Sequence, residues 1–246
     1  MCTVTFMPTA KNEFILTSNR DENASRSPQN ISQVEENGQT LIFPRDTTAG
    51  GTWIAASSQN RLVCLLNGAF DRHPRKPPYR KSRGIMVLEY FQSTDANQFF
   101  AAYDFLGMES FTMITYEQGQ LWDFRWEEAS GQKYIKSLDT TQYHIWSSAT
   151  LYEKPIQRKR EKWLDEWLVG RTDFSSSAIL ELHKRGGEGN PSIDFMMHRY
   201  NHLVETVSIT QVAGKNGQLQ MTYHDLIRQA VKEKAVTIVP KKRKIA

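Results

Sequence analysis

The sequence predicts an α+β chain of packed antiparallel sheets, and three observations carry that prediction. Short runs of alternating or apolar residues recur on either side of turn formers, most clearly at Gly214-Lys215-Asn216-Gly217 between 204–212 and 218–223. Two blocks, 83–104 and 155–184, carry helical rather than strand spacing. No internal repeat and no low-complexity linker divides the chain, so residues 2–239 read as one domain followed by a basic tail at 240–246.

The elements follow in order. Cys2, Val4 and Phe6 alternate with Thr3 and Thr5, the period-2 pattern of a half-buried strand. Residues 8–12 offer a turn and 13–18 a returning strand, which brings 17–21 back beside the start of the chain. Residues 22–38 are polar and are expected to be loop. Strands over 52–56 and 61–66 flank Ser57-Ser58-Gln59-Asn60 as a second hairpin. Residues 71–81 place three prolines among basic residues, which predicts an exposed loop. Ser82 and Asp95 are N-cap candidates for helices over 83–92 and 96–104. A third hairpin spans 110–116 and 121–126 around Gln118-Gly119-Gln120, and 143–147 is a further strand. Pro155 suits the first turn of a helix reaching residue 169, with Trp163, Leu164, Trp167 and Leu168 at helical spacing. A last helix over 177–184 stops at Gly186-Gly187.

Composition bounds the function. The 246 residues, 39% hydrophobic with six tryptophans, suffice for a substantial core. The mean hydropathy is −0.57, and no apolar run approaches the roughly 20 residues that span a bilayer. The start lacks the basic and apolar regions of a secretory signal. Two cysteines, Cys2 and Cys64, are too few for a disulfide framework and fit a reducing cytosol, so a cytoplasmic protein is expected. Cys64 lies in the apolar run Leu62-Val63-Cys64-Leu65-Leu66 and reads as a buried small hydrophobe. The net charge of +4 is concentrated at 72–83 and in the tail. Anionic partners fit that charge, but no nucleic-acid motif accompanies it. The tail also resembles a nuclear-import string, a cheap pattern in a solvated terminus.

Chemistry concentrates at the start. A small residue at position 2 lets the initiator methionine be trimmed, leaving Cys2 with a free α-amine. A thiol of pKa about 8.5 beside an amine of about 7.7–8.0 is a nucleophile carrying its own general base. Ser18-Asn19-Arg20-Asp21-Glu22 then falls where the hairpin partner returns.

These residues resemble the NRDE family, the group that includes transport-and-Golgi-organisation proteins. The resemblance runs through Cys2, Asn19-Arg20-Asp21-Glu22, Gly50-Gly51-Thr52-Trp53, Leu65-Leu66-Asn67-Gly68 and Pro77-Pro78-Tyr79-Arg80-Lys81-Ser82-Arg83-Gly84, and fades after residue 165. It implies the four-layer αββα sandwich of N-terminal-nucleophile hydrolases, related to choloylglycine hydrolases and penicillin V acylases. On that basis Cys2 is the expected nucleophile for a linear amide bond. Asp21 is expected to hold its amine, Arg20 to lower the thiol pKa, and Asn67 to donate to the oxyanion. Asn19, Trp53, Ser148 and Arg75 are the expected substrate contacts. Two departures stand out. Ser148 occupies a place where relatives carry an Asn, and Val204-Glu205-Thr206 stands where they carry an Arg.

The competing readings are a binding protein that has lost catalysis and, behind it, a nucleic-acid binder. The substrate class implied by the basic 72–83 segment is a small molecule bearing a carboxylate. The sequence leaves the oligomeric state open. No cofactor is expected. No metal is expected either: His198 and His202 have the i,i+4 spacing of a helical pair, with Asp194 a turn earlier, but lack a convincing third ligand. His73, the other candidate partner for a cysteine, sits in the Pro-rich loop.

Overall fold

A computed structural model of the chain describes residues 3–199 and 201–239. Its first elements are β1 (Thr3–Ala10), β2 (Glu13–Glu22), β3 (Ile31–Glu36), β4 (Gln39–Pro44), β5 (Ile54–Ser57) and β6 (Arg61–Asn67). Helices α1 (Arg83–Glu89) and α2 (Ala96–Ala102) follow, then β7 (Phe111–Glu117), β8 (Gln120–Glu127), β9 (Gln132–Leu138) and β10 (His144–Ser147). The chain continues through α3 (Lys154–Leu168), α4 (Ser176–Arg185), β11 (His198–Arg199), β12 (Val204–Lys215), β13 (Gln218–Asp225) and β14 (Ala230–Thr237).

The strands form two antiparallel sheets. The first is ordered β10-β1-β2-β12-β13-β14, with β11 added on β12; the second runs β3 to β9 in chain order. Between them lies one apolar core, to which β1 and β2 contribute Val4, Phe6, Phe14 and Leu16. On the far side of the first sheet, Met7 and Ile15 meet Leu164 of α3, Ile179 and Leu182 of α4, and Phe195. On the far side of the second sheet, α1 contacts β5 and β6, and Phe100 of α2 stacks on Phe124 at 4.5 Å. The result is the αββα sandwich.

Three sequence expectations need correction. Thr3 and Thr5 are fully buried, so β1 is covered on both faces rather than half-buried. Their hydroxyls are tolerated there because each meets a polar partner in the helix layer, as described below. Residues 22–38 are not loop throughout: β3 pairs with β4 from Ile31↔Pro44 to Glu36↔Gln39. The turn is Asn37-Gly38, at φ 51° and 72°, the primed geometry that joins twisted strands. His198 and His202 are not on a helix. His198 belongs to β11 and His202 to the following turn, with their rings stacked 4.4 Å apart.

Strands β4, β9, β11 and β14 lie in segments where the sequence predicts no strand; β9 and β14 are edge strands of mostly exposed residues. The other hairpins and all four helices lie where their spacing predicts, within a few residues at the ends.

Two local features shape the region around residues 19–22. A register shift between Thr206 and Ser208 sets a bulge in β12 opposite β2, so that Thr206 faces Asp21 and Ser208 faces Arg20. Gly51 lies against the start of α1, where a Cβ would come within 2.3 Å of the Gly84 carbonyl carbon, so only glycine permits this backbone crossing. Thr52 N–H donates to the Gly84 carbonyl at 3.0 Å across it.

Candidate active site

Alternation along β2 sends neighbouring residues to opposite faces of the sheet. Arg20 points between the sheets, with its guanidinium 4.3 Å above the Trp53 ring and 2.5 Å from Asp46 Oδ2. It also donates to the Arg26 carbonyl at 2.7 Å. Asp46 is the hub of this side. Its second oxygen accepts the N–H groups of Thr48 and Ala49, at 3.0 and 2.9 Å, and Arg26 reaches the first at 2.8 Å. Burial alone would raise the Asp46 carboxyl; the Ala49 N–H and the two guanidinium groups outweigh it and hold the group below the usual carboxylate range.

Asp21 points the other way, into a sealed polar layer under α3 and α4. Thr206 Oγ1 donates to its Oδ1 at 2.6 Å and the Tyr152 hydroxyl to its Oδ2 at 3.1 Å. A carboxylate fixed in this way can hold a cation such as a protonated amine at a defined place. Asn19 lies on the same face. Its Nδ2 donates to the carbonyls of His183 and Phe195, at 3.1 and 2.8 Å, and its Oδ1 lies 2.5 Å from His183 Nδ1. The other His183 nitrogen lies 2.8 Å from Thr5 Oγ1. Burial first, and the Arg160 charge second, lower the His183 pKa to about 3, so the ring is neutral. With the ring neutral, Nδ1 is the hydrogen-bearing nitrogen, donating to Asn19, and Nε2 accepts from Thr5.

The open side of the sheet leads to a cleft of about 880 Å³ and, beneath it, a chamber of about 130 Å³. Glu22, Arg26, Asn67, Ser82 and Arg83 border both, which makes them the neck. Arg20, Asp46, Trp53 and Leu65 line the chamber. The outer wall carries Arg26, Arg72, Arg75, Lys81 and Arg83 against Glu22 and Glu109, an excess of positive charge. Glu109 gathers part of it, with Arg83 at 3.0 Å, His73 at 3.3 Å and Arg75 at 3.9 Å. Burial lowers the Arg83 guanidinium against the pull of Glu109, yet an arginine stays cationic.

The structure brings some of the sequence-predicted residues together and not others. Asn67 ends β6 at the neck, and Trp53 and Arg20 stand in the chamber. Arg75 is on the outer rim, its side chain 74% exposed. Ser148 is fully buried beside Asn67, its hydroxyl donating to the Asn67 carbonyl at 2.9 Å and lying 3.0 Å from Thr150 Oγ1. Asn19 is bound into the helix layer and lines neither cavity. Cys2 and the tail at 240–246 lie outside the described residues. Cys64 is fully buried in β6, and that burial pushes its thiol up to about 12.

Thr206, Tyr152, Asp46 and Arg26 escaped sequence reasoning, because none lies in a pattern of its own; only folding brings them to β2. Among the described residues no cluster of three or more His, Cys, Asp or Glu side chains could hold a metal. No helix among them is long and apolar enough to cross a membrane.

Comparison with known proteins agrees with this architecture. A nematode structure, the Caenorhabditis elegans ortholog of N-acylethanolamine-hydrolyzing acid amidase, superposes with a TM-score of 0.55 at 10% identity, covering 85% of this chain and 92% of that one. At that identity the likeness is one of fold. A conjugated bile acid hydrolase from Clostridium perfringens gives a TM-score of 0.46 at 8% identity, covering 100% of both chains. In sequence, the mouse transport and Golgi organization 2 homolog is 31% identical over 102 residues, which make up 38% of this chain and 36% of the mouse protein. The match thus spans well under two thirds of that relative's length. The family model described as Transport and Golgi organisation 2 matches residues 1–221. The chain belongs to that family.

Proposed function

We propose that this protein is an N-terminal-nucleophile hydrolase that cleaves a linear amide bond of a small, carboxylate-bearing substrate. Cys2 is the nucleophile and its α-amine the general base. The thiolate forms a bond to the substrate carbonyl carbon, the ammonium returns the proton to the leaving amine, and water hydrolyses the acyl-Cys2 by the reverse route. Asp21 holds the amine, and the Asn67 side-chain amide donates to the oxyanion at the neck of the cleft. Arg20 supplies positive potential, and the basic outer wall receives the substrate's anionic end.

The observation that carries this reading is the buried Asp21 carboxylate. It is held by Thr206 and Tyr152 on strand β2, whose Asn19 pairs with Thr3, the residue that follows Cys2 in the chain. Two hydroxyls fix its orientation at the strand end beside the start of β1, where a carboxylate can pair with a protonated amine. Shared fold with an amidase adds an analogy, since scaffolds of one type host many reactions.

The test is covalent. Incubation with p-nitrophenyl esters and aminocoumarin amides, with and without a carboxylate on the acyl chain, is expected to leave an acyl group on Cys2, found by peptide mass spectrometry. Cys2→Ala is expected to abolish turnover with little change in melting temperature. Iodoacetamide is expected to label Cys2 in folded protein and to spare Cys64, whose thiol is buried. Chain that retains Met1 in full, or an absence of acyl-Cys2 across the panel, sinks the reading.

A second reading, a binding protein on the same scaffold, is favoured by one observation. The Ser148 hydroxyl, which stands in place of a second oxyanion donor, is already bonded to the Asn67 carbonyl. Saturable binding of a panel compound without acylation would select it.

A further inference from the structure

Arg160 is a fully buried arginine on the inner face of α3. Each arm of its guanidinium has a partner. Nε donates to the Ile193 carbonyl at 2.9 Å and one terminal nitrogen to the Asp194 carbonyl at 2.5 Å. The other terminal nitrogen donates to Thr3 Oγ1. The guanidinium carbon lies over the Tyr152 ring, 3.5 Å from its centroid, and 5.4 Å from the centroid of the Phe195 ring. One side chain therefore touches the first described residue of β1 and covers the ring whose hydroxyl donates to Asp21.

We propose that Arg160 is a positioning residue for the N-terminal nucleophile: it ties the start of β1 to α3 through Thr3 and, through Tyr152, fixes the carboxylate of Asp21 relative to that start. The proposal rests on Cys2 and Asp21 acting as set out above. A bare apolar contact would hold α3 on the sheet equally well, as Leu164 does four residues on. The fork adds direction, because an arginine's donors are fixed in a plane and the same plane stacks on an aromatic ring. Catalytic groups need placement within about half an ångström, and small displacements cost large factors in rate. Held at one end by main-chain carbonyls and at the other by Thr3, Arg160 sets the spacing between two strands' worth of site.

The experiment is a double-mutant cycle on Arg160→Lys and Tyr152→Phe, with Leu164→Ala as a control on the same helix face. Lysine keeps the charge but loses the fork and the stack. Phenylalanine keeps the ring under Arg160 and removes the hydroxyl that donates to Asp21. Two rates are read at fixed pH: alkylation of Cys2 by iodoacetamide and acylation of Cys2 by p-nitrophenyl acetate, each beside the melting temperature. Arg160→Lys and Tyr152→Phe are each expected to slow both rates on the order of tenfold, with the double variant little slower than either. Leu164→Ala is expected to lower the melting temperature and leave both rates near wild type. Additive rate losses, wild-type rates in Arg160→Lys, or losses that merely follow stability across all variants overturn the proposal. If Arg160→Lys does not fold, Tyr152→Phe and Thr3→Val carry the test, since each removes one arm of the arrangement; wild-type rates in both overturn it. An unacylated wild type would remove the hydrolase reading, while the iodoacetamide arm of the cycle would still decide the role of Arg160.

Discussion

Arg20 and Asp21 are adjacent in the chain and face opposite ways, and the two sides of β2 handle charge differently. On the Arg20 side, cations are matched by carboxylates: Asp46 holds Arg20 and Arg26, and Glu109 holds Arg83. That side opens into the cleft, where basic residues outnumber carboxylates along the wall. On the Asp21 side, hydroxyls, an amide and a neutral imidazole surround the Asp21 carboxylate and the Arg160 guanidinium, sealed under α3 and α4. On the proposed function, the open side attracts an anion from solvent and the closed side holds geometry. Alternation of one residue per face lets a single strand serve both tasks.

The largest expected effect comes from breaking the open side's hub. Asp46→Ala leaves Arg20 and Arg26 without their shared carboxylate, and Arg20 is nearly inaccessible to water. Removing one partner of a buried pair costs about 3–5 kcal/mol. The lower end is expected, because Arg20 keeps the Arg26 carbonyl and the Trp53 face. Urea denaturation measures it. The wild-type contribution also has a pH signature. The folded carboxyl titrates below its unfolded value, so its stabilisation is complete above about pH 4 and fades as the pH drops through the folded value. Asp46→Ala is expected to lose that acid-side fall.

Next comes the closed side. Asp21→Asn preserves the shape; its amide oxygen can still accept from one of the Thr206 and Tyr152 hydroxyls and its NH2 can donate to the other, so the melting temperature is expected to move little. The charge that holds the amine disappears, and acylation of Cys2 is expected to slow on the order of 10²-fold or more. Arg20→Gln should show the opposite balance, with stability falling further than the acylation rate. Equal rate losses in the two variants would erase the functional distinction between the faces.

A further effect, absent at neutral pH, separates the sides by pH. Buried His183 has a folded pKa of about 3 against about 6.5 unfolded. Its folded value is depressed, so the unfolded state takes up the proton first as the pH drops. Stability from this site is therefore full above about pH 6.5 and declines at up to about 1.4 kcal/mol per pH unit down to pH 3. His183→Gln can keep bonds to Thr5 and Asn19 and is expected to flatten the stability profile across that window. An unchanged slope would show that the layer admits the proton at little cost.

The sequence made much of this legible where signals are local. Turn residues marked most hairpins, and the Asp95 cap and Pro155 marked helix starts that the structure reproduces. Strand β3 was hidden because its outward residues are polar and only Ile31 is buried, and its Asn37-Gly38 turn lies inside the segment read as polar loop. Strands β9 and β14 are edge strands whose side chains are mostly exposed, so neither carries an apolar pattern. At the site, the motif residues at 19–22 were readable, but the partners that fix them were not. Asp46 is 26 residues from Arg20, Tyr152 is 131 and Thr206 is 185 from Asp21. Asn19 shows the converse: a motif residue placed among substrate contacts by resemblance is tied to His183 and Phe195 by tertiary packing.

The smallest effect sharpens the open side's role. Arg75 is largely exposed and stands 3.9 Å from Glu109, whereas Arg83 is close to buried and stands at 3.0 Å. A long contact from so exposed a cation contributes about 0–1 kcal/mol to stability, so Arg75 is available to a ligand at little cost to the fold. Lys76 follows it on the same loop. Replacing both with Gln is expected to raise KM several-fold for a carboxylate-bearing ester and to leave kcat unchanged, the pattern of lost uniform binding. The uncharged ester of equal length should show no such rise. Added salt should narrow the difference between the two esters in wild type, because exposed charges beyond about 10 Å are screened at 0.1 M. A fall in kcat with KM intact would instead place this loop in the chemistry, and the division of labour between the two faces of β2 would fail at its rim.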